Sequence, residues 1–153
     1  MKKAITLIVC TALTAALLAA CGAQPAEPDL DELAFQLKDS AGFGEEMYLL
    51  DEGIARELYG LGADASCVAW SGAGATAEEL AVFETASAGD AQELLERLWE
   101  RNESRIADYG SYLPDEVPKL ENSLILAEGR FVLLCTAQDS SGARQLWKAT
   151  FGG

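Results

Sequence analysis

The chain carries 25 Asp and Glu, four Cys and no His. Carboxylates and thiols are therefore the side chains with chemistry to offer. Without His, the usual Ser-His and Cys-His nucleophile pairs are excluded. Neither a G-x-S-x-G elbow nor a Walker loop G-x-x-x-x-G-K-[ST] occurs. The glycine-rich stretch SGAGAT, residues 71–76, has no nearby Lys and reads as a hairpin loop rather than a phosphate cradle. Adjacent acids occur at Glu45-Glu46, Asp51-Glu52, Glu78-Glu79 and Asp115-Glu116. A glycosidase works with two carboxylates about 5–10 Å apart across a sugar, so a hydrolase acting on cell-wall glycan is the enzyme these pairs would serve. So many acids give pairs by chance, however, and solvated surface is the expected reading. Glu79 is singled out. On a strand it points opposite to Leu80, and if its own side is buried it needs a partner, because an unpaired buried charge is costly. Arg130, on a neighbouring hairpin, is the expected partner. No D-x-[DN]-x-[DN]-G loop is present, and two interior Cys with no His do not make a zinc site. No catalytic residue, cofactor or metal site is assigned, and the expected role is non-enzymatic.

Cysteine enters differently at the N-terminus. Lys2 and Lys3 precede an apolar stretch from Ala4 to Ala20, which is short for a membrane-spanning helix. A charged start, an apolar middle and a small-residue end describe a secretory signal peptide, residues 1–20. Leu18-Ala19-Ala20-Cys21 resembles the lipobox of bacterial lipoproteins. The resemblance implies a diacylglyceryl group on Cys21, cleavage between Ala20 and Cys21, and a final palmitoylated anchor. Two acyl chains hold a protein stably on a bilayer where one does not. Residues 21–28 then read as the lipidated Cys and a flexible tether, CGAQPAEP, which places the folded part close to the membrane.

Removal of residues 1–20 leaves 133 of the 153 residues, enough for one domain, residues 29–153. It takes away two Lys and no acid, so nine Lys and Arg face 25 acids and the net charge is −16. Nucleic acid is excluded as a partner, since phosphate binding needs clustered Lys and Arg. Docking onto anionic headgroups is disfavoured by the same charge. Of the four Cys, Cys10 leaves with the signal and Cys21 takes the lipid. Cys67 and Cys135 remain, either paired in an exported protein or buried as small hydrophobes.

The elements follow from periodicity and caps. Asp29 and Glu32 have capping-box spacing ahead of Leu30, Leu33, Ala34 and Leu37, which share one helix face. Residues 47–50 are a short apolar run of unassigned state. Asp51 is placed as the cap of a helix over 52–58, with Ile54 and Leu58 turned inward and Gly60 and Gly62 ending it. Residues 65–71 read as a strand. Over 77–85 the capping-box spacing of Thr76 and Glu79 argues helix, while Val82, Phe83 and the shortness of the segment argue strand, and it is read as the hairpin partner of 65–71. A long helix capped by Asp90 and ended by Gly110 carries an apolar stripe through Leu94, Leu98, Trp99, Asn102, Ile106 and Tyr109. On that stripe Trp99 and Tyr109 are expected in the core rather than stacked on a ligand. Residues 112–118 read as an irregular connection. Residues 123–127 and 130–137 form a second hairpin across Glu128-Gly129, and a helix over 141–151 closes the chain. The order α-α-β-β-α-β-β-α predicts an α+β fold, a mainly antiparallel sheet of about four strands in two hairpins with helices packed on it.

The pattern resembles a family of small lipoproteins from Gram-positive anaerobes, classed as a domain of unknown function. The resemblance runs over roughly residues 29–150. It rests on Cys21, on Leu58-Tyr59-Gly60, on Ala75 to Glu84 (ATAEELAVFE), on Tyr112-Leu113-Pro114 and on Gly129-Arg130-Phe131-Val132. It implies a domain on the outer face of the cytoplasmic membrane of a monoderm envelope, and no activity. The expected role is a membrane-anchored, extracytoplasmic binding or accessory domain with an envelope protein as partner. The carboxylate hydrolase is the alternative.

Overall fold

Three of the helix starts are set by a short polar side chain. In the computed structural model, which describes residues 27–152, Asp29 accepts the amide of Glu32 and opens α1 (Leu30–Ser40). The signal segment, the Ala20–Cys21 junction and the tether as far as residue 26 lie outside the described residues. Asp51 accepts the amide of Gly53 and opens α2 (Glu52–Leu58). The long helix α3 (Ala88–Tyr112) is capped by Ser87, not by Asp90. Asp90 sits three residues on and accepts the Ser87 hydroxyl while its amide bonds Ser87 Oγ, a reciprocal capping arrangement. The helix also runs through Gly110 and stops at Leu113, because the residue before Pro114 is pushed out of helical geometry. The expected irregular connection is a 3-10 turn (Pro114–Glu116) followed by α4 (Val117–Glu121). The last helix is α5 (Ser141–Phe151).

Five strands, rather than four, form one antiparallel sheet among the described residues. They are β1 (Met47–Leu49), β2 (Ser66–Gly72), β3 (Glu79–Glu84), β4 (Leu124–Glu128) and β5 (Phe131–Thr136), in the order β1-β2-β3-β5-β4. The extra strand is the apolar run over 47–49, which adds to the β2–β3 hairpin as an edge. The β4–β5 turn is Gly129-Arg130, one residue later than expected. Gly129 sits at φ +56°, a conformation a two-residue turn demands at its first position and glycine adopts without strain. The two hairpins join through β3 and β5, with Leu80 opposite Cys135 and Phe83 opposite Val132.

Helices cover both faces of this sheet. On one face Leu33, Ala34 and Leu37 of α1, with Ala143 and Trp147 of α5, pack on Trp70, Leu80, Val82, Leu133 and Cys135. On the other, Ala55 and Tyr59 with Ala91, Leu94 and Leu98 of α3 pack on Cys67, Ala69, Ala81, Phe83 and Leu134. Central strands β3 and β5 are buried on both sides, so ELAVFE and FVLLCT read as continuous apolar runs instead of alternating ones. Each buried Leu, Val or Phe contributes about 1.5–3 kcal/mol. Cys67 and Cys135 are free and lie on opposite faces, so the sheet separates the two thiols.

Two expected orientations are corrected. Ile54 and Leu58 are exposed, and α2 instead turns Ala55 and Tyr59 inward. With Ala55 the only small residue on the inner side, the Tyr59 ring can reach Phe83, 5.0 Å away and edge-on. Trp99 is also exposed, because α3 faces the sheet through Leu94, Leu98 and two arginines.

Candidate functional site

The candidate site is the Glu78-Glu79 step at the head of β3. Successive residues on a strand point to opposite faces, so the two acids enter different layers. Glu79 is 5 % exposed and Glu78 1 % exposed. Each buried carboxylate demands donors, and each has them.

Glu79 faces α3. Arg101 binds it with both arms, Nη1 to Oε1 at 2.8 Å and Nη2 to Oε2 at 3.1 Å. Arg105, one turn along, also donates to Oε1 and sends its other arm to the Ala77 carbonyl at 3.0 Å. The Tyr59 hydroxyl donates to Oε2 at 3.3 Å. The guanidinium groups lie over aromatic rings, Arg101 5.1 Å from the Tyr59 centroid and Arg105 5.4 Å from that of Tyr109. Tyr109 in turn donates to the Thr76 carbonyl at 3.0 Å. Burial pushes the Tyr59 phenol up to about 12, against the pull of the two arginines. Burial also draws the Arg101 guanidinium below its ordinary value. Arg130 is not the partner. It binds Glu84 and Glu27, both at 2.7 Å, at the other end of the sheet.

Glu78 faces the α1–β1 loop. It accepts the amides of Gly44 at 2.9 Å, Glu45 at 2.9 Å and Gln138 at 3.2 Å, and pairs with Lys119 at 3.3 Å. Lys119 also binds Glu116 at 3.0 Å. Glu116 accepts the Thr76 hydroxyl and the Ala77 amide, both at 2.8 Å. Burial raises the Glu116 carboxyl, but Ala77, Thr76 and Lys119 together outweigh it and hold the group below its usual range. Lys119 is raised: burial lowers it, and the bonds and charges of Glu116 and Glu78 prevail.

A second polar chain crosses the core. Asn102 donates to the Leu120 carbonyl at 3.0 Å and accepts the Ser123 hydroxyl at 3.3 Å, and Ser123 meets Thr136 at 2.7 Å. No buried side-chain nitrogen or oxygen among the described residues lacks a partner.

This arrangement fastens the molecule together. Glu79 ties β3 to α2 and α3; Glu78 ties it to the α1–β1 loop, the segment after β5 and α4. Their oxygens are taken by donors, and both side chains are buried. The remaining pairs are dispersed: Glu45 and Glu46 are exposed beside β1, Asp51 caps α2, and Asp115 is exposed while Glu116 joins the hub. Burial raises the Cys67 thiol and pushes Cys135 up to about 12, which disfavours the thiolate at both. A pocket of about 260 Å³ lies elsewhere, between the α2–β2 loop and the start of α3, lined by Asp64, Thr85, Asp90, Glu93 and Arg97. SGAGAT spans the end of β2 (Ser71 and Gly72) and the start of the β2–β3 hairpin loop.

Glu79 was legible because on a strand it must point opposite to Leu80, into a layer of its own. Glu78 was missed as a buried group because its acceptor role depends on backbone amides, which leave no sequence signal. Arg101 and Arg105, four residues apart, share a helix side, but the apolar stripe drawn through Trp99 and Ile106 placed Arg101 off it. No group of three or more acidic or cysteine ligands is brought together among the described residues. No described helix is long and apolar enough to cross a membrane.

A family model described as a domain of unknown function (DUF4358) matches residues 39–137. No curated protein and no solved structure matches the chain.

Proposed function

The chain belongs to the DUF4358 family, and from that premise we propose a lipid-anchored, non-enzymatic binding or accessory domain on the extracytoplasmic face of the cell membrane. Cys21 carries the lipid, after cleavage between Ala20 and Cys21. The observation that carries the non-enzymatic reading is the saturation of Glu78 and Glu79 by amides, arginines and Lys119. A general acid or base must have a lone pair or proton free to reach a substrate, and these groups have partners instead.

The chain's entry into the domain supports the anchored orientation. Glu27 binds Arg130, which also binds Glu84. The tether therefore meets the domain at the end of the sheet that holds the β4–β5 turn. The Glu78-Glu79 hub sits at the opposite end, away from the tether. The clasp is exposed and contributes little to stability; it marks where the chain enters the domain.

The test is metabolic labelling with palmitate in the native host, followed by membrane fractionation. The chain takes up label and fractionates with membranes, and Cys21→Ala loses both. A Cys21→Ala chain that stays labelled and membrane-bound overturns the anchor. Release of soluble sugar from cell-wall glycan by the purified chain overturns the non-enzymatic reading.

A further inference from the structure

Five of the seven exposed large apolar side chains among the described residues lie on β1 or on the two helices, α1 and α2, that pack on its neighbour β2. Tyr48 and Leu49 lie on β1 itself, 53 % and 58 % exposed. Phe35 of α1 stacks edge-on against Trp70, the register partner of Leu49. Ile54 and Leu58 lie on α2, which follows β1 directly and packs on β2. The backbone of β1 is open as well. Glu46 O accepts Ala73 N and Leu50 N donates to Ala69 O, so by antiparallel alternation the N–H and C=O of Met47 and Leu49 point away from the sheet. An edge of this kind is a template for another strand, and added strands are a common mode of peptide recognition.

Charge says what covers it. Glu45 and Glu46 precede β1 and Asp51, Glu52 and Glu57 follow it, all exposed. The one cation of that stretch, Arg56, is engaged by Glu52 and by the Ala65 and Gly62 carbonyls. At the head of β1 an open depression of about 470 Å³ is lined by Phe43, Met47, Asp39, Glu45, Glu46 and Lys38, the last paired with Asp39. A second copy of this chain fits badly. Antiparallel β1 pairing would set Glu45 and Glu46 of one copy against Asp51 and Glu52 of the other, and like charges suppress a wrong partner.

We propose that the β1 edge docks an extended, basic segment of a partner protein, which pairs with Met47 and Leu49 as a sixth strand. The segment's apolar side chains meet Leu49 and Phe35 on one face and Tyr48 on the other, and a Lys or Arg enters the depression beside Glu45 and Glu46. The proposal rests on the reading of the domain as a binding module.

The test is amide hydrogen exchange on the full chain in detergent micelles, with and without a short peptide alternating Val and Lys. A Val-Glu peptide is the control. The Val-Lys peptide slows exchange at Met47 and Leu49 by about tenfold or more, and Val-Glu does not. Leu49→Pro abolishes the effect while keeping the fold, since proline is tolerated where an edge N–H faces solvent. Glu45→Lys with Glu46→Lys shifts the preference towards Val-Glu. No slowing, equal slowing by both peptides, protection of β4 instead of β1, or protection that grows with the chain's own concentration each overturns the proposal, the last by making the occupant a second copy. Cys21 takes no part here, so failure leaves the anchor standing, and failure of palmitate labelling leaves the edge standing.

Discussion

Glu79→Gln is the substitution that probes the hub most sharply. It keeps the shape of the side chain and removes one charge. Arg101 and Arg105 then face a neutral amide, and one oxygen replaces two. Breaking a buried ion pair by removing one partner costs about 3–5 kcal/mol. The two arginine side chains keep 24 % and 16 % of their exposure, so water reaches the stranded charges and the lower end, about 3 kcal/mol, is expected. Against a total of about 5–15 kcal/mol for a domain, that is a large loss. With a urea slope of about 1.5–2 kcal/mol per molar, the midpoint falls by roughly 1.5–2 M at unchanged slope. Equilibrium urea unfolding of the purified chain, followed by Trp fluorescence, reads it. A control separates the cost of breaking the cluster from its net worth. Glu79→Leu, Arg101→Met and Arg105→Met together remove every charge, and such replacements are often neutral, so the triple variant recovers most of the loss. A Glu79→Gln loss below about 1 kcal/mol would refute the claim that this carboxylate fastens α3 to the sheet.

Alkaline pH tests Cys135 and Tyr59 most strongly. Both fold with their acidic protons held more tightly than in the unfolded chain, near 12 against ordinary values of 9.0 and 10.0. Their stabilisation is full below pH 9 and drains as pH rises towards 12, on the order of 4 kcal/mol for Cys135; a pH series of urea midpoints shows the decline, and Cys135→Ala shows a shallower one. Gly142→Ala lowers the melting temperature, because a Cβ there would run into the Ser40 carbonyl where α5 crosses the end of α1. Gly110→Ala raises stability by about 0.5–1 kcal/mol, since the site is helical with open space around it. Cys67 and Cys135 resist an aromatic disulfide reagent in the native chain and both react in denaturant; a native disulfide would leave neither reactive.

Most of the helices and hairpins were legible because their signals are local. Asp29 and Asp51 cap where spacing said they would, and ELAVFE forms a strand despite the Thr76–Glu79 capping-box pattern. That stretch was ambiguous because a strand buried on both faces loses its alternation. β1 was not legible: three residues carry no periodicity, and only pairing with β2 makes them a strand. The inward face of α3 was misplaced for a related reason. Apolar residues were used to find it, while Arg101 and Arg105 turn inward to meet Glu79 and leave Trp99 outside. Long-range pairing decides such positions, and a residue's type records it only when the partner is known.

The most direct measurement joins carboxylates to amines at zero length in living cells, then identifies by mass spectrometry what the native chain has captured. A binding module with an acidic edge predicts one reproducible envelope protein, joined through its lysines to Glu45, Glu46, Asp51 or Glu52. A chain that captures nothing, stays monomeric and releases sugar from cell-wall glycan would contradict the account.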